Sequence, residues 1–197
     1  MSRDDDDFRK HEASVGETSE WFTPRFVFDA LGLTFDLDPA HPGKGTPHCC
    51  VPARRVLTRK ENGLLVPWPK GDLIWINAPQ SEQRRAVVPW LKRFFAHGNG
   101  IFLLPARTSA DYWHKDVFPN AEIVLFTDGK IKFVRPDGSR GEQPGYGNTL
   151  IGAGDVACAA LRRSGLGYCV TVDRSAAPSA RAVRAADDAA LLPFGAE

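Results

Sequence analysis

At 197 residues, 43% apolar and 25% charged, the chain has material for one globular domain with a full hydrophobic core and little else. No apolar run approaches the ~18 residues of a membrane span, and the acidic first ten residues do not read as a secretory signal, so a cytoplasmic protein is expected. The formal net charge of +1 hides an asymmetry: residues 1–20 hold seven acids and three bases, and the other 22 bases and 17 acids leave +5, which permits nucleic-acid binding but is explained equally well by an ordinary solvated surface.

Residues 1–18 read as a flexible acidic leader, 19–174 as the folded domain, and 175–197 as an Ala/Arg-rich tail or final amphipathic helix. Pro24 can open a helix with Phe26, Val27, Ala30 and Leu31 as its apolar face, and Gly32 ends it. A short strand is predicted over 33–37. Residues 41–63 look loop-like, with Pro42, Gly43, Gly45, Pro47 and Pro52 as breakers. A buried strand over 73–76 precedes a helix over 83–97, in which Val87, Val88, Leu91, Phe94 and Phe95 fall at helical spacing. There follow a strand over 101–104, a short helix over 110–117 and a strand over 121–126, with which 130–134 can pair across the Asp128-Gly129 turn. A strand over 149–151, a helix over 156–164 and a strand over 168–172 complete the series. The alternation predicts an α/β fold with a mostly parallel sheet and helices on both faces. Ligands of such sheets bind beyond the carboxyl ends of the strands.

The four cysteines, Cys49, Cys50, Cys158 and Cys169, form no C-x-x-C pair and are expected to be reduced thiols. His41, His48, Cys49 and Cys50 lack metal-ligand spacing, so no metal is expected.

The most informative stretch is Leu73-Ile74-Trp75-Ile76-Asn77-Ala78-Pro79-Gln80, a buried strand running into Asn-x-Pro. A side-chain carbonyl and a backbone carbonyl side by side at the ligand-binding edge suit the gripping of both hydrogens of an exocyclic amine. Accepting both N–H bonds favours the pyramidal nitrogen that attacks a methyl sulfonium in line, so catalysis is positioning plus electrostatics. The plainer reading is a turn-forming Asn followed by a loop-starting Pro. A rival site, Thr149 to Ala157 with Gly152 and Gly154, has the form of a strand, a glycine turn and a helix start, with Asp173 ending the next strand. It can cradle a nucleotide or serve as a tight turn. Arg107 can contact phosphate or brace Asp111.

Several segments in order resemble the phage-type DNA N6-adenine methyltransferase (Dam-like) family over residues 20–172. They are Trp21-Phe22-Thr23-Pro24 with Phe28-Asp29-Ala30-Leu31; Phe35-Asp36-Leu37-Asp38-Pro39-Ala40; Glu61-Asn62-Gly63-Leu64 with Trp68; Leu103-Leu104-Pro105-Ala106-Arg107-Thr108 with Trp113-His114; and Gly129-Lys130-Ile131-Lys132-Phe133. The resemblance implies a Rossmann-like methyltransferase fold, S-adenosylmethionine as methyl donor, adenine in DNA as substrate and a bacterial host cell. It places Asn77, Pro79 and Gln80 at the catalytic tetrapeptide. By the same resemblance Asp38, with Pro39 and Ala40, would face the cofactor at its ribose hydroxyls or amino group, and Thr23 and Pro24 would contact the methionine end. Arg84, Arg85, Lys130 and Lys132 are the bases that can approach DNA phosphates, each of which reads equally as solvated surface when taken singly. Two departures stand out. Ala78 replaces the family's first proline, and Gln80 replaces an aromatic that stacks on a flipped base. Either Trp113 or Tyr146 supplies the ring, or the substrate is another planar amine or amide, or the protein binds nucleic acid or cofactor without turnover.

Overall fold

The computed structural model describes residues 21–43, 46–79, 84–141 and 145–173, with the side chains of Arg84 and Arg85 excepted. The acidic leader and the C-terminal tail lie outside the described residues. Seven strands form one sheet: β1 (Phe35–Asp38), β2 (Ala53–Val56), β3 (Ile74–Ile76), β4 (Gly100–Pro105), β5 (Ile123–Thr127), β6 (Asn148–Ala153) and β7 (Gly167–Thr171). Three α-helices accompany them: α1 (Arg25–Leu31), α2 (Arg84–His97) and α3 (Asp155–Arg163). A π-helical turn spans Trp113–Val117, where a regular short helix is the sequence expectation.

Strand alternation assigns the side chains to two layers. Ile74 and Ile76 of β3, with Phe102 and Leu104 of β4, face Val87, Leu91 and Phe94 of α2 and Trp113 and Val117 of the π turn. Trp75, Ile101 and Leu103 face the other way, onto Val27, Phe28 and Leu31 of α1 and Ala157 and Leu161 of α3. Helices thus cover both faces, as expected. On α1 it is Phe28 that enters the core while Phe26 stays exposed, so the apolar stripe is shifted from the predicted one. Gly32 closes this helix in the left-handed region, φ 61°, a conformation open to glycine.

The sheet order is β2-β1-β3-β4-β6-β5-β7. β2/β1, β1/β3 and β3/β4 are parallel, whereas β4/β6, β5/β6 and β5/β7 are antiparallel. The expected mostly parallel sheet is therefore a mixed one with a parallel half. β6 inserts, reversed, between β4 and β5. Every residue of β6 is buried, so its composition reads like that of its parallel neighbours and carries no mark of direction.

Two local expectations also fail. The stretch 41–63, read as loop, contains β2, an edge strand whose Arg54 and Arg55 are exposed and which has no apolar alternation. Residues 130–134 do not pair with β5, because β6 and β7 occupy both its edges. Val134 instead bridges Phe22 and Arg140.

Candidate functional site

The parallel half brings the carboxyl ends of β1, β3 and β4 to one edge of the sheet. β3 ends at Ile76, buried on both faces, and the chain emerges as Asn77-Ala78-Pro79. Asn77 is half-buried, Ala78 is buried and Pro79 is exposed. The Asn77 amide is oriented by its nitrogen: Nδ2 donates to the Trp21 carbonyl at 3.0 Å and lies 3.4 Å from Thr23 Oγ1. Oδ1 is left as an acceptor with no bonded partner among the described residues. The strap that holds Asn77 is itself anchored. Phe22 exchanges backbone hydrogen bonds with Val134 at 2.8 and 2.9 Å, the Cys50 thiol donates to the Thr23 carbonyl at 3.4 Å, and Thr23 is 2% exposed.

On the neighbouring strand Asp38 ends β1, also 2% exposed. Its Oδ1 accepts the Ala40 N–H at 3.0 Å. Burial pushes its carboxyl up to about 7, partly opposed by that N–H. Pro39 is buried beside it and meets Gly63, where an added Cβ would overlap the Pro39 carbonyl oxygen. Trp68 Nε1 donates to the Gly63 carbonyl at 2.9 Å, and Arg93 of α2 donates to the carbonyls of Leu64 and Val66 while its guanidinium lies 4.5 Å from the Trp68 ring centre. α2 thereby holds the 61–66 turn against the end of β1.

His41 Nδ1 accepts the Gly43 N–H at 3.0 Å, which leaves the ring proton on Nε2, 3.4 Å from Cys49 Sγ. Burial lowers His41 and pushes the Cys49 thiol up to about 11. The pair is neutral at pH 7 and is no thiolate nucleophile. Among the described residues no three His, Cys, Asp or Glu side chains come together to hold a metal, and no helix is long and apolar enough to cross a membrane.

Gln80 lies outside the described residues. Arg84 and Arg85 open α2. Trp113 is fully buried and donates to the Pro105 carbonyl at 3.3 Å, so it offers no stacking face. Tyr146 is half-buried, with the Arg107 guanidinium 3.8 Å from its ring centre. Asp111 pairs with Lys115 at 2.8 Å, and Arg107 makes no ion pair among the described residues. Lys130 and Lys132 are exposed just beyond β5. The glycine turn at 152–154 stands elsewhere: β6 is reversed, so Ala153 aligns with Gly100 at the start of β4. Gly154 donates to Glu122 at 3.2 Å there. Asp173, beyond the equally reversed β7, lies at that opposite edge too.

No residue type in the sequence signals that the Trp21 backbone orients Asn77, because the bond is to a main-chain carbonyl. The Cys49–His41 contact likewise joins residues eight apart through loop geometry alone.

A family model for DNA N-6-adenine-methyltransferase (Dam) matches residues 11–151, well over half of the chain. The chain belongs to this family. No curated protein and no solved structure matches it. The stretch matched to the Dam family contains Asp38, Asn77, Arg107, Lys130 and Tyr146, which stand along the carboxyl edge of the sheet. It ends within β6, so α3 and β7 lie beyond it.

Proposed function

We propose that this Dam-family chain is an enzyme that transfers a methyl group from S-adenosylmethionine to the exocyclic amine of adenine in DNA. The observation that carries the reading is the Asn77 amide. Its nitrogen is consumed by the Trp21 carbonyl, so its oxygen is the end left to meet a ligand, at the turn beside Pro79. Oδ1 and a backbone carbonyl of that turn accept the two amine hydrogens. The nitrogen lone pair, otherwise delocalised into the ring, is then directed outward, and no general base of tuned pKa is needed.

Asp38 fits the donor. A buried carboxylate with one oxygen on a backbone N–H keeps acceptor capacity that hydroxyl or amino hydrogens would satisfy. Thr23, Pro24, Pro39 and Ala40 would complete its surroundings. When bound, S-adenosylmethionine supplies an electrophilic methyl group. Arg84, Arg85, Lys130 and Lys132 would neutralise phosphates and set the register of the duplex.

Tritiated methyl transfer to unmodified DNA, followed by mass analysis of the nucleosides, tests this. The wild type should yield N6-methyladenine, and Asn77→Ala should lower the rate by about 10²-fold or more, the usual loss when an oriented hydrogen-bond partner of the reacting group is removed. Equal incorporation by the two would refute the site. Gln80 and the buried Trp113 favour a second reading, a methyltransferase-like protein that binds without turnover. Calorimetric binding of the cofactor with no methylation of any DNA would decide for it.

A further inference from the structure

We propose that Tyr146, braced by Arg107, is the surface on which a DNA base stacks at this edge of the sheet. The inference rests on the DNA-directed reading above and adds the residue that meets the base. Tyr146 precedes β6 and Arg107 follows β4, on adjacent strands, and the Ala106 N–H donates to the Gly147 carbonyl at 2.8 Å between them. β4 also adjoins β3, so both residues stand on the edge from which Asn77 emerges.

The pair has the form of a binding surface in three respects. The guanidinium, 3.8 Å from the ring centre, holds the ring by a cation–π contact, while the residue stays half-exposed. Arg107 Nε is buried without a hydrogen-bond partner among the described residues. A buried N–H without a partner is costly, and an acceptor carried by a ligand, a phosphate oxygen or a base edge, would satisfy it. Thirdly, a second cation is tied to the chain next to the ring. Lys130 Nζ donates to the Gly145 carbonyl at 3.2 Å, and Asn148 Oδ1 accepts the Ile131 N–H at 3.0 Å. These bonds tie the Lys130–Lys132 segment to the chain carrying Tyr146. Aromatic rings set among fixed cations bind nucleic acid by stacking and phosphate contact together.

Two other rings are less suited. Trp113 is fully buried, and the Trp21 ring packs so closely on Gly141 that an added Cβ there would overlap it.

The test compares binding of the full chain, by fluorescence anisotropy, to a deoxyadenosine oligomer of about 12 nucleotides and to an abasic oligomer of equal length. Stacking of one base predicts that the wild type prefers the first by roughly 5- to 150-fold. Tyr146→Leu should abolish the preference and leave abasic binding unchanged, whereas Tyr146→Phe should keep it. Arg107→Lys, which keeps the charge but loses the planar brace, should weaken it. Calorimetry with S-adenosylmethionine on Tyr146→Leu, matching the wild type, would show that the fold is intact. A wild type without preference, or a folded Tyr146→Leu that retains it, would overturn the proposal. Base preference that depends on Tyr146 in a wild type that transfers no methyl group would sink the enzyme reading while supporting the stack.

Discussion

Asn77 has two ends: its nitrogen closes a bond to the N-terminal strap, and its oxygen has no bonded partner among the described residues. Asn77→Asp keeps the one side-chain oxygen and puts an acceptor in place of the donating nitrogen, so it sets a carboxylate against the Trp21 carbonyl. It should lower methyl transfer and reduce stability by at least the ~1 kcal/mol of a typical hydrogen bond, read as a fall in Tm. Asp38 carries the pH dependence. Its carboxyl is raised from 3.8 to about 7 by burial, so between those values the folded chain holds a proton that the unfolded chain has released. Stability therefore falls as pH rises through that window and levels off above about 7. Asp38→Asn should flatten that slope in thermal melts followed from pH 4 to pH 8. Cofactor affinity should run the opposite way. If donors of S-adenosylmethionine meet the carboxylate, binding by calorimetry should strengthen as pH rises to about 7, and a pH-independent affinity would remove Asp38 from the cofactor site.

At the level of elements, the site depends on turns that press on strand ends. Gly63 lies against the Pro39 carbonyl, and the Trp68 and Arg93 contacts hold it there. Gly63→Ala must move either the 61–66 turn or the end of β1. It should destabilise the fold by about 1–3 kcal/mol, the usual range for overpacking, and weaken cofactor binding beyond what the loss of stability explains; chemical denaturation and calorimetry on the same variant would separate the two. The central elements were legible because their burial is periodic. β3, β4 and α2 follow directly from the apolar spacing in 73–76, 101–104 and 83–97. β2 was not, because an edge strand whose Arg54 and Arg55 face solvent needs no apolar face. Nor was the π turn at Trp113–Val117, since one extra residue per turn changes no residue type.

Across the whole molecule, the exposed cations at the carboxyl edge should govern DNA affinity through salt. Replacing Lys130 and Lys132 together by alanine should weaken binding to any DNA sequence alike. It should also reduce the slope of log K against log salt by about one to two, if both meet phosphate. An unchanged slope would leave them as solvated surface.

The sequence by itself determined the layered α/β class, the positions of the buried strands and helices, the family, and the candidate pair of Asn77 and Asp38. The class, the elements and Asn77 follow from residue type and spacing along one chain, whereas Asp38 is singled out only by the resemblance to the family. Tertiary structure alone decided the direction of β6, and with it the placement of the Gly152–Gly154 turn at the edge opposite Asn77. It also decided which ring stays partly accessible, Tyr146 beside Arg107 rather than the fully buried Trp113. The reason is physical: a strand buried on both faces has the same composition in either direction, and whether an aromatic ring is core or surface depends on what packs over it, not on its neighbours in the chain.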